Sequence, residues 1–121
     1  METEVLLMKN VIKRNGKEVK FDLSKIVHAI EKANKEVDPI YQLNAYQIQA
    51  AADSVVKKIQ TKSYAVNVEE IQDMVETAIM EMRGYEVAQK YVRYRYKREM
   101  ARKANSTDED ILALIDQANE E

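Results

Sequence analysis

The chain has 121 residues, 45% hydrophobic and 33% charged, which indicates one domain with a modest core. Two Gly and one Pro supply little turn material, so long helices are favoured over a multi-stranded β fold. The sequence has no Cys and one His, which excludes disulfides, thiolate zinc sites and multi-histidine metal sites. No apolar run approaches the ~20 residues of a membrane span, so we expect a cytoplasmic protein without a membrane partner.

Charge is unevenly distributed along the chain. Nineteen basic and 21 acidic residues give a net charge of −2, which offers no general attraction for nucleic acid. Residues 83–103, however, are strongly basic, and the last fifteen residues contain no Lys or Arg. A local cationic surface on a mildly acidic protein indicates a confined anionic ligand rather than a long polyanion.

The first predicted elements are β structure. Residues 1–8 are interpreted as a short strand or tail, and residues 11–21 are predicted to form a hairpin. Its Asn15-Gly16 pair favours the positive φ angles of a type I′ turn. Two strands alone are marginal in water, so the hairpin must lie on another element.

Four amphipathic helices are predicted after the hairpin, because apolar residues recur there at a spacing of 3.6. They run from Asp22 or Ser24 to Val37, from 44 to 59, from Val68 to a break at Gly84, and from Tyr85 to Lys103. The residues expected to face inward are Ile26, Ile30, Ala33, Ile48, Ala52, Val55, Ile59, Ile71, Val75, Ala78, Ile79, Met82, Val87, Ala88, Tyr91 and Val92. Short connections favour a compact four-helix bundle that carries the hairpin.

The remaining segment, residues 104–121, is predicted to be a linker followed by a short helix. Thr107 with Asp110 resembles a capping box in front of an apolar stretch over residues 111–118. That apolar stretch needs a partner, which indicates that the chain is a fragment.

Standard phosphate-binding loops are absent from the sequence, and no pair of carboxylates is in an apolar context that would suit acid–base catalysis. The remaining candidates for chemistry are cations near the hairpin: Lys13, Arg14, Lys20 and Lys25. The first turn of a helix adds free backbone N–H groups and a positive dipole end, which suit phosphate. A solvated basic surface would give the same pattern, so these residues alone leave the function open.

Longer stretches of the sequence resemble a known family. The residues Val11 to Gly16, followed by Phe21-Asp22 and Lys25-Ile26, resemble the opening of the ATP-cone domain. Residues 68–76 and 85–98 match it further, so that the resemblance covers residues 9–100. The continuation at residues 105–108 resembles the N-terminal part of anaerobic (class III) ribonucleoside-triphosphate reductases.

The resemblance implies a mainly α fold, a four-helix bundle capped by a β-hairpin or a three-stranded sheet, over residues 9–103. Residues 104–121 would then lead to a catalytic domain, whose activity the cone would regulate. ATP binding would activate the parent reductase and dATP binding would inhibit it, through a nucleotide-dependent homo-oligomer. Each nucleotide would bind together with Mg²⁺. The fragment itself would be regulatory rather than catalytic.

The resemblance also assigns nucleotide-binding residues. Lys13 and Arg14 would contact phosphates from the hairpin, and Lys25 would do so from the first helix. Val11 and Ile26 would pack against adenine, and Gln72 would face the nucleoside. The remaining assigned residues are Asn15 and Gly16 in the turn, where Asn15 replaces the usual Asp, and Lys97 or Arg98 near the end of the last helix.

Two other functions are compatible with the sequence. One is a helical protein-interaction module that uses residues 111–118. The other is the cone of a nucleotide-dependent transcriptional repressor, although such a repressor carries a zinc ribbon before the cone and this chain has no Cys.

Overall fold

The computed structural model describes residues 10–13 and 15–119, with residues 105–119 described by their backbone alone. Arg14 and the predicted strand or tail at 1–8 lie outside the described residues. The elements are β1 (Asn10–Ile12), β2 (Glu18–Lys20), α1 (Leu23–Lys35), a 3₁₀ turn (Pro39–Tyr41), α2 (Ala45–Gln60), β3 (Val66–Asn67), α3 (Val68–Glu81) and α4 (Tyr85–Asn119). This confirms a mainly α fold with four helices and a small sheet.

The described part of the chain forms one three-stranded sheet with the order β2-β1-β3. β1 pairs antiparallel with β2, with Val11 opposite Val19, and parallel with β3, where Val11 is opposite Val66. A three-stranded sheet is one of the two forms that the resemblance implied, but the position of the third strand was not predicted, because two residues are too short to show any alternation of apolar and polar side chains. β3 leads directly into α3, so the sheet joins the hairpin to the start of that helix.

The hairpin turn differs from the prediction. Gly16 has a positive φ of 85°. A type I′ turn would have Asn15 and Gly16 as its two central residues, but the bond from Gly16 N to Lys13 O makes Gly16 the last residue of the turn, so that prediction was wrong. Gly16 N donates to Lys13 O at 2.9 Å and Lys13 N donates to Lys17 O at 2.8 Å. These two bonds are typical of a three-residue loop with a left-handed glycine at its end.

Side-chain caps explain where the first three helices begin. Asp22, rather than Ser24, caps α1. Asn44 and Gln47 form a capping box at the start of α2, and Asn67 and Glu70 form another at the start of α3. Each cap satisfies backbone N–H groups that the helix leaves unpaired, and a cap of this kind typically contributes about 1 kcal/mol of stability.

The core contains most of the predicted inward-facing side chains. Ile30, Ile59, Ile79, Val66 and Val87 have no exposed surface. The predicted positions that are buried are Ile26, Ile30, Ala33, Ile48, Ala52, Val55, Ile59, Val75, Ala78, Ile79, Val87, Ala88 and Tyr91.

Three of the predicted inward-facing residues are not part of this core. Ile71 and Met82 are only half-buried, and Val92 is 41% exposed, so its prediction was wrong. Val92 follows the buried Tyr91 directly, and adjacent residues on a helix face directions about 100° apart.

α4 is longer than predicted. It continues to Asn119, whereas the sequence predicted that this helix ends at Lys103 and that a linker follows from residue 104. The reason is that α4 contains neither Gly nor Pro, and the weak helix formers at residues 105–108 cost only a few tenths of a kcal/mol each.

The chain divides into two compact units, one ending at Tyr91 and the other beginning at Val92. The role of residues 104–121 as a link to another domain remains a prediction.

The junction between α3 and α4 contains a strained residue. Arg83 has a φ of 63°, and Gly84 N donates to Ile79 O at 3.1 Å, which closes the end of α3. A Cβ atom on Gly84 would lie 3.1 Å from Leu43 Cδ2, so glycine permits close packing at that position. Leu43 is fixed in turn by two hydrogen bonds with the Asn34 side chain, at 2.8 and 2.9 Å.

Replacing Arg83 with Gly is expected to stabilise the protein, because glycine adopts a positive φ without a Cβ clash. The matched control is Arg83→Ala, which removes the same long side chain but keeps the Cβ. We expect Arg83→Gly to exceed Arg83→Ala by about 0.5–1 kcal/mol in free energy of unfolding, measured by urea denaturation. Equal stability of the two variants would contradict a left-handed residue at this junction.

Candidate functional site

A cavity of about 230 Å³ lies in the first unit, bordered by the sheet, the beginning of α1 and the first half of α3. Its lining is mostly apolar. The apolar residues of the lining are Val11, Val19, Phe21, Ile26, Ala29, Val68, Ile71, Val75 and Tyr91. Val11, Ile26, Val75 and Tyr91 are otherwise buried, whereas Ala29 and Ile71 are half-buried. The half-burial of Ile71 thus follows from its place at the wall of a cavity.

Three lysines stand around this apolar wall. Lys13 follows β1, Lys20 ends β2 and Lys25 lies in the first turn of α1. All three side chains are exposed. None forms an ion pair within the described part of the chain. Three ammonium groups that form no direct ion pair there attract an anion to the cavity.

Asp22 is the one carboxylate among the residues that line the cavity. Its Oδ1 accepts hydrogen bonds from Ser24 N at 3.0 Å and from Ser24 Oγ at 2.6 Å, so the group serves as the cap of α1. The Ser24 hydroxyl is the largest cause that lowers the pKa of Asp22 from its ordinary value. Desolvation, the next largest effect, opposes it, whereas the Ser24 backbone N–H and the positive charge of Lys25 lower the pKa further. The lining therefore has two positive charges in excess.

Gln72 also lines the cavity, on the side of α3. Its amide offers both hydrogen-bond donors and an acceptor, which an apolar wall lacks. Five of the sequence-predicted site residues are thus brought together at this cavity. They are Val11, Lys13, Lys25, Ile26 and Gln72.

The turn residues Asn15 and Gly16 lie at the tip of the hairpin and do not line the cavity. Asn15 Oδ1 accepts a hydrogen bond from Lys17 N at 3.0 Å, so this side chain shapes the turn. A Cβ atom added to Gly16 would meet nothing within 4 Å, which agrees with an open loop tip. Their assignment as nucleotide contacts stays a prediction.

Lys97 and Arg98 belong to the second unit. Within that unit the Arg98 guanidinium lies 5.8 Å from the centre of the Tyr94 ring, and Arg98 Nη1 donates to Tyr94 Oη at 3.4 Å. Arg14 lies outside the described residues. The assignment of these three basic residues to a ligand therefore rests on the family resemblance alone.

Sequence reasoning missed part of the cavity wall. Ala29, Ile71, Val75 and Tyr91 were interpreted as core or left without a role, because an apolar residue at helical spacing gives the same signal whether it faces a core or a cavity. Lys20 was noted as a cation of the hairpin but received no role from the resemblance. A usable signal existed for Ile71 and Tyr91, since both lie within stretches that match the family.

The arrangement suits binding better than catalysis. An apolar wall accommodates a flat ring, and lysines at its edge accommodate an anionic group. The described residues contain no group of three or more His, Asp or Glu that could hold a metal ion. None of the helices searched is long and apolar enough to cross a membrane, among the residues that the structure describes.

Comparison with known proteins points to one family. Residues 9–100 match the ATP cone domain. The chain is 34% identical over 113 residues to an anaerobic ribonucleoside-triphosphate reductase of Haemophilus influenzae, which covers 92% of this chain and 16% of the relative. It is 38% identical over 101 residues to a vitamin B12-dependent ribonucleoside-diphosphate reductase of Thermoplasma acidophilum, covering 79% of this chain and 13% of the relative.

A third relative is a ribonucleoside-diphosphate reductase subunit alpha of Chlamydia trachomatis, 34% identical over 102 residues, which covers 77% of this chain and 10% of the relative. The chain thus spans about a sixth or less of the length of these curated relatives.

The lowered pKa of Asp22 predicts a pH dependence of stability. Because this carboxyl has a lower pKa in the folded than in the unfolded protein, its contribution is present above 3.8 and is lost as the pH falls through the folded pKa. Asp22→Asn keeps a good cap but cannot ionise. The stability advantage of the unsubstituted protein over Asp22→Asn should therefore shrink between about pH 6 and about pH 2.5 in urea denaturation.

Ser24→Ala provides the control for this pH dependence. It removes the hydroxyl that contributes most to the shift, so the pKa of Asp22, followed by carboxyl NMR, should rise towards 3.8. An unchanged pKa in that variant would contradict the role of the hydroxyl.

Proposed function

Since this chain belongs to the ATP-cone family, we propose that it is an allosteric domain that binds ATP or dATP in the cavity of the first unit. The observation that carries this proposal is the meeting of an apolar wall with three lysines that form no ion pair within the described residues. Adenine is flat and largely apolar on its faces, and a triphosphate is a compact polyanion. An adenine nucleotide therefore matches both parts of the cavity at once.

The fit assigns a role to each group of residues. Val11 and Ile26, from the central strand and α1, pack against the base, and the Gln72 amide faces the nucleoside. Lys13 and Lys25 bind phosphate oxygens as mobile point charges. The cations that the resemblance adds are Arg14 and either Lys97 or Arg98.

Mg²⁺ would accompany the nucleotide on its phosphates. The only carboxylate of the lining, Asp22, already accepts two hydrogen bonds from Ser24, so the described residues provide no cage of oxygen ligands. Mg²⁺ commonly retains several waters and takes its other ligands from phosphates. The metal would reduce the charge of the triphosphate, and the lysines would balance the remainder.

We further propose that ATP activates and dATP inhibits the overall activity of a ribonucleoside-triphosphate reductase of the anaerobic class, in which this chain is the regulatory part. The similarity to the Haemophilus influenzae protein supports this class. A ligand shifts a conformational or assembly equilibrium only by the difference in its affinity for the two states. A nucleotide-dependent homo-oligomer in the cytoplasm, together with the catalytic domain, would supply these states.

Loss of either predicted phosphate contact should weaken nucleotide binding. We expect Lys13→Ala and Lys25→Ala each to raise the Kd of ATP at least about tenfold, because each removes a charge-assisted contact. The matched control is Lys17→Ala on the same hairpin, which removes an exposed lysine that does not line the cavity. Isothermal titration calorimetry with ATP and dATP measures these values.

In this titration, absence of saturable binding by the unsubstituted chain at millimolar nucleotide would contradict the proposed function. An equal loss of affinity in all three variants would contradict the assigned site.

Filling the apolar part of the cavity should also weaken ATP binding, without changing any charge. Ala29 is half-buried on α1 and lines the cavity, so Ala29→Leu should occupy the space of the base. Ala50→Leu is the matched control, because Ala50 is also half-buried on a helix but lies outside this cavity. We expect at least about a tenfold higher Kd of ATP for Ala29→Leu and an almost unchanged Kd for Ala50→Leu. Normal ATP affinity in Ala29→Leu would place the base elsewhere.

A further inference from the structure

α4 has an exposed apolar face in the second unit. Val92 is 41% exposed, Tyr96 is 60% exposed and Met100 is 38% exposed. These three residues recur every four positions, which places them on one face of the helix. Helices in proteins gain most of their stability from packing such a face against another element.

The same face continues through the rest of α4. From Tyr96 onward its positions follow in steps of four, three and four residues, an 11-residue pattern that stays on one side of a helix. The pattern occurs twice and is symmetric about Thr107. Its other positions are Tyr96, Met100, Lys103, Ile111, Leu114 and Ala118, all of them apolar or aromatic except Lys103.

Charge divides α4 at the same residue, Thr107. Residues 92–106 contain a single acidic residue, Glu99, whose carboxylate lies 3.7 Å from Lys103 Nζ. Residues 107–119 contain no Lys or Arg. The basic residues before Thr107 are Arg93, Arg95, Lys97, Arg98, Arg102 and Lys103, and the acidic residues after it are Asp108, Glu109, Asp110 and Asp116.

We propose that α4 is the interface of a homodimer, in which two copies of this helix pair antiparallel about a two-fold axis at Thr107. Because the 11-residue pattern is symmetric about that residue, antiparallel pairing aligns the apolar positions of both copies. Tyr96 of one copy then lies opposite Ala118 of the other, and Met100 lies opposite Leu114. A closed two-fold contact of this kind uses the same surface on both chains.

The charge distribution decides between the two possible orientations. Antiparallel pairing places the basic half of each helix beside the acidic half of the other, and in particular Lys103 beside Asp110. Parallel pairing would place Lys97 beside Lys97 and Lys103 beside Lys103, and like charges at close range repel each other. The inference involves only the second unit, so it goes beyond the proposed nucleotide site and does not depend on it.

Sedimentation equilibrium of the 121-residue chain tests the dimer. We expect a species of twice 14.0 kDa at chain concentrations below ~1 mM. Met100→Glu should raise the Kd of this dimer at least about tenfold, because it places a carboxylate in the apolar face and beside the acidic half of the other copy. The matched control is Ala101→Glu, an exposed neighbour about 100° further round the helix, which should leave the Kd within about threefold.

Single cysteines report the orientation, since the chain has no Cys of its own. A mixture of Met100→Cys and Leu114→Cys, one of them carrying a tag that changes its size, should form a mixed disulfide on a non-reducing gel. Met100→Cys alone should form little disulfide, and Thr107→Cys alone should form it readily, because Thr107 lies on the two-fold axis.

Three results would overturn the inference: a chain that stays monomeric, an equal effect of Met100→Glu and Ala101→Glu, or efficient cross-linking of Met100→Cys to itself. The last result would indicate parallel pairing. A monomeric chain that still binds ATP in calorimetry would overturn this inference and leave the proposed function intact. A dimer that binds no nucleotide would do the reverse.

Discussion

The candidate site depends on one short strand that is paired on both sides. β1 has only three residues, yet it pairs with β2 along the hairpin and with β3 at the start of α3. The parallel pairing sets Ile12 beside Asn67, the residue that caps α3. Lysines from the hairpin and apolar side chains from α3 can border one cavity only because this strand connects the two elements.

The charges around this cavity oppose the stability of the unliganded protein. Three lysines surround one wall, and the one carboxylate among the described residues of the lining serves as a helix cap. Like charges that lie close together repel each other, and exposure to water keeps the cost small. An anionic ligand removes this repulsion and also covers the half-buried side chains of the wall. Binding is thus coupled to the stability of the segment that contains β1, because ligand binding stabilises the folded form by mass action.

Much of the fold could be predicted from the sequence, because caps and apolar spacing are local signals. Asn44 and the break at Gly84 indicated helix boundaries to within a residue. The position of the third strand could not be predicted, since Val66 and Asn67 acquire their strand geometry from pairing with β1 rather than from a pattern of their own. The extent of α4 was underestimated, because polar residues around Asn105 were interpreted as a break although no Gly or Pro interrupts the helix.

Prediction of the candidate site had a different limit. The motif of the family indicated residues on two elements, the hairpin and α1, and the structure brings Lys13 and Lys25 together at one cavity. The sequence could not distinguish Ile71, at the cavity wall, from Ile79, in the core, because both recur at helical spacing on α3.

The most direct test of the central claim is an NMR titration of the ¹⁵N-labelled chain with ATP. We expect saturable shifts of the backbone amide signals of residues 11–13, 19–26 and 71–75, with little change on α2, since these residues border the cavity and α2 does not. Shifts concentrated on other elements, or none at millimolar ATP, would contradict a nucleotide held between the hairpin, α1 and α3.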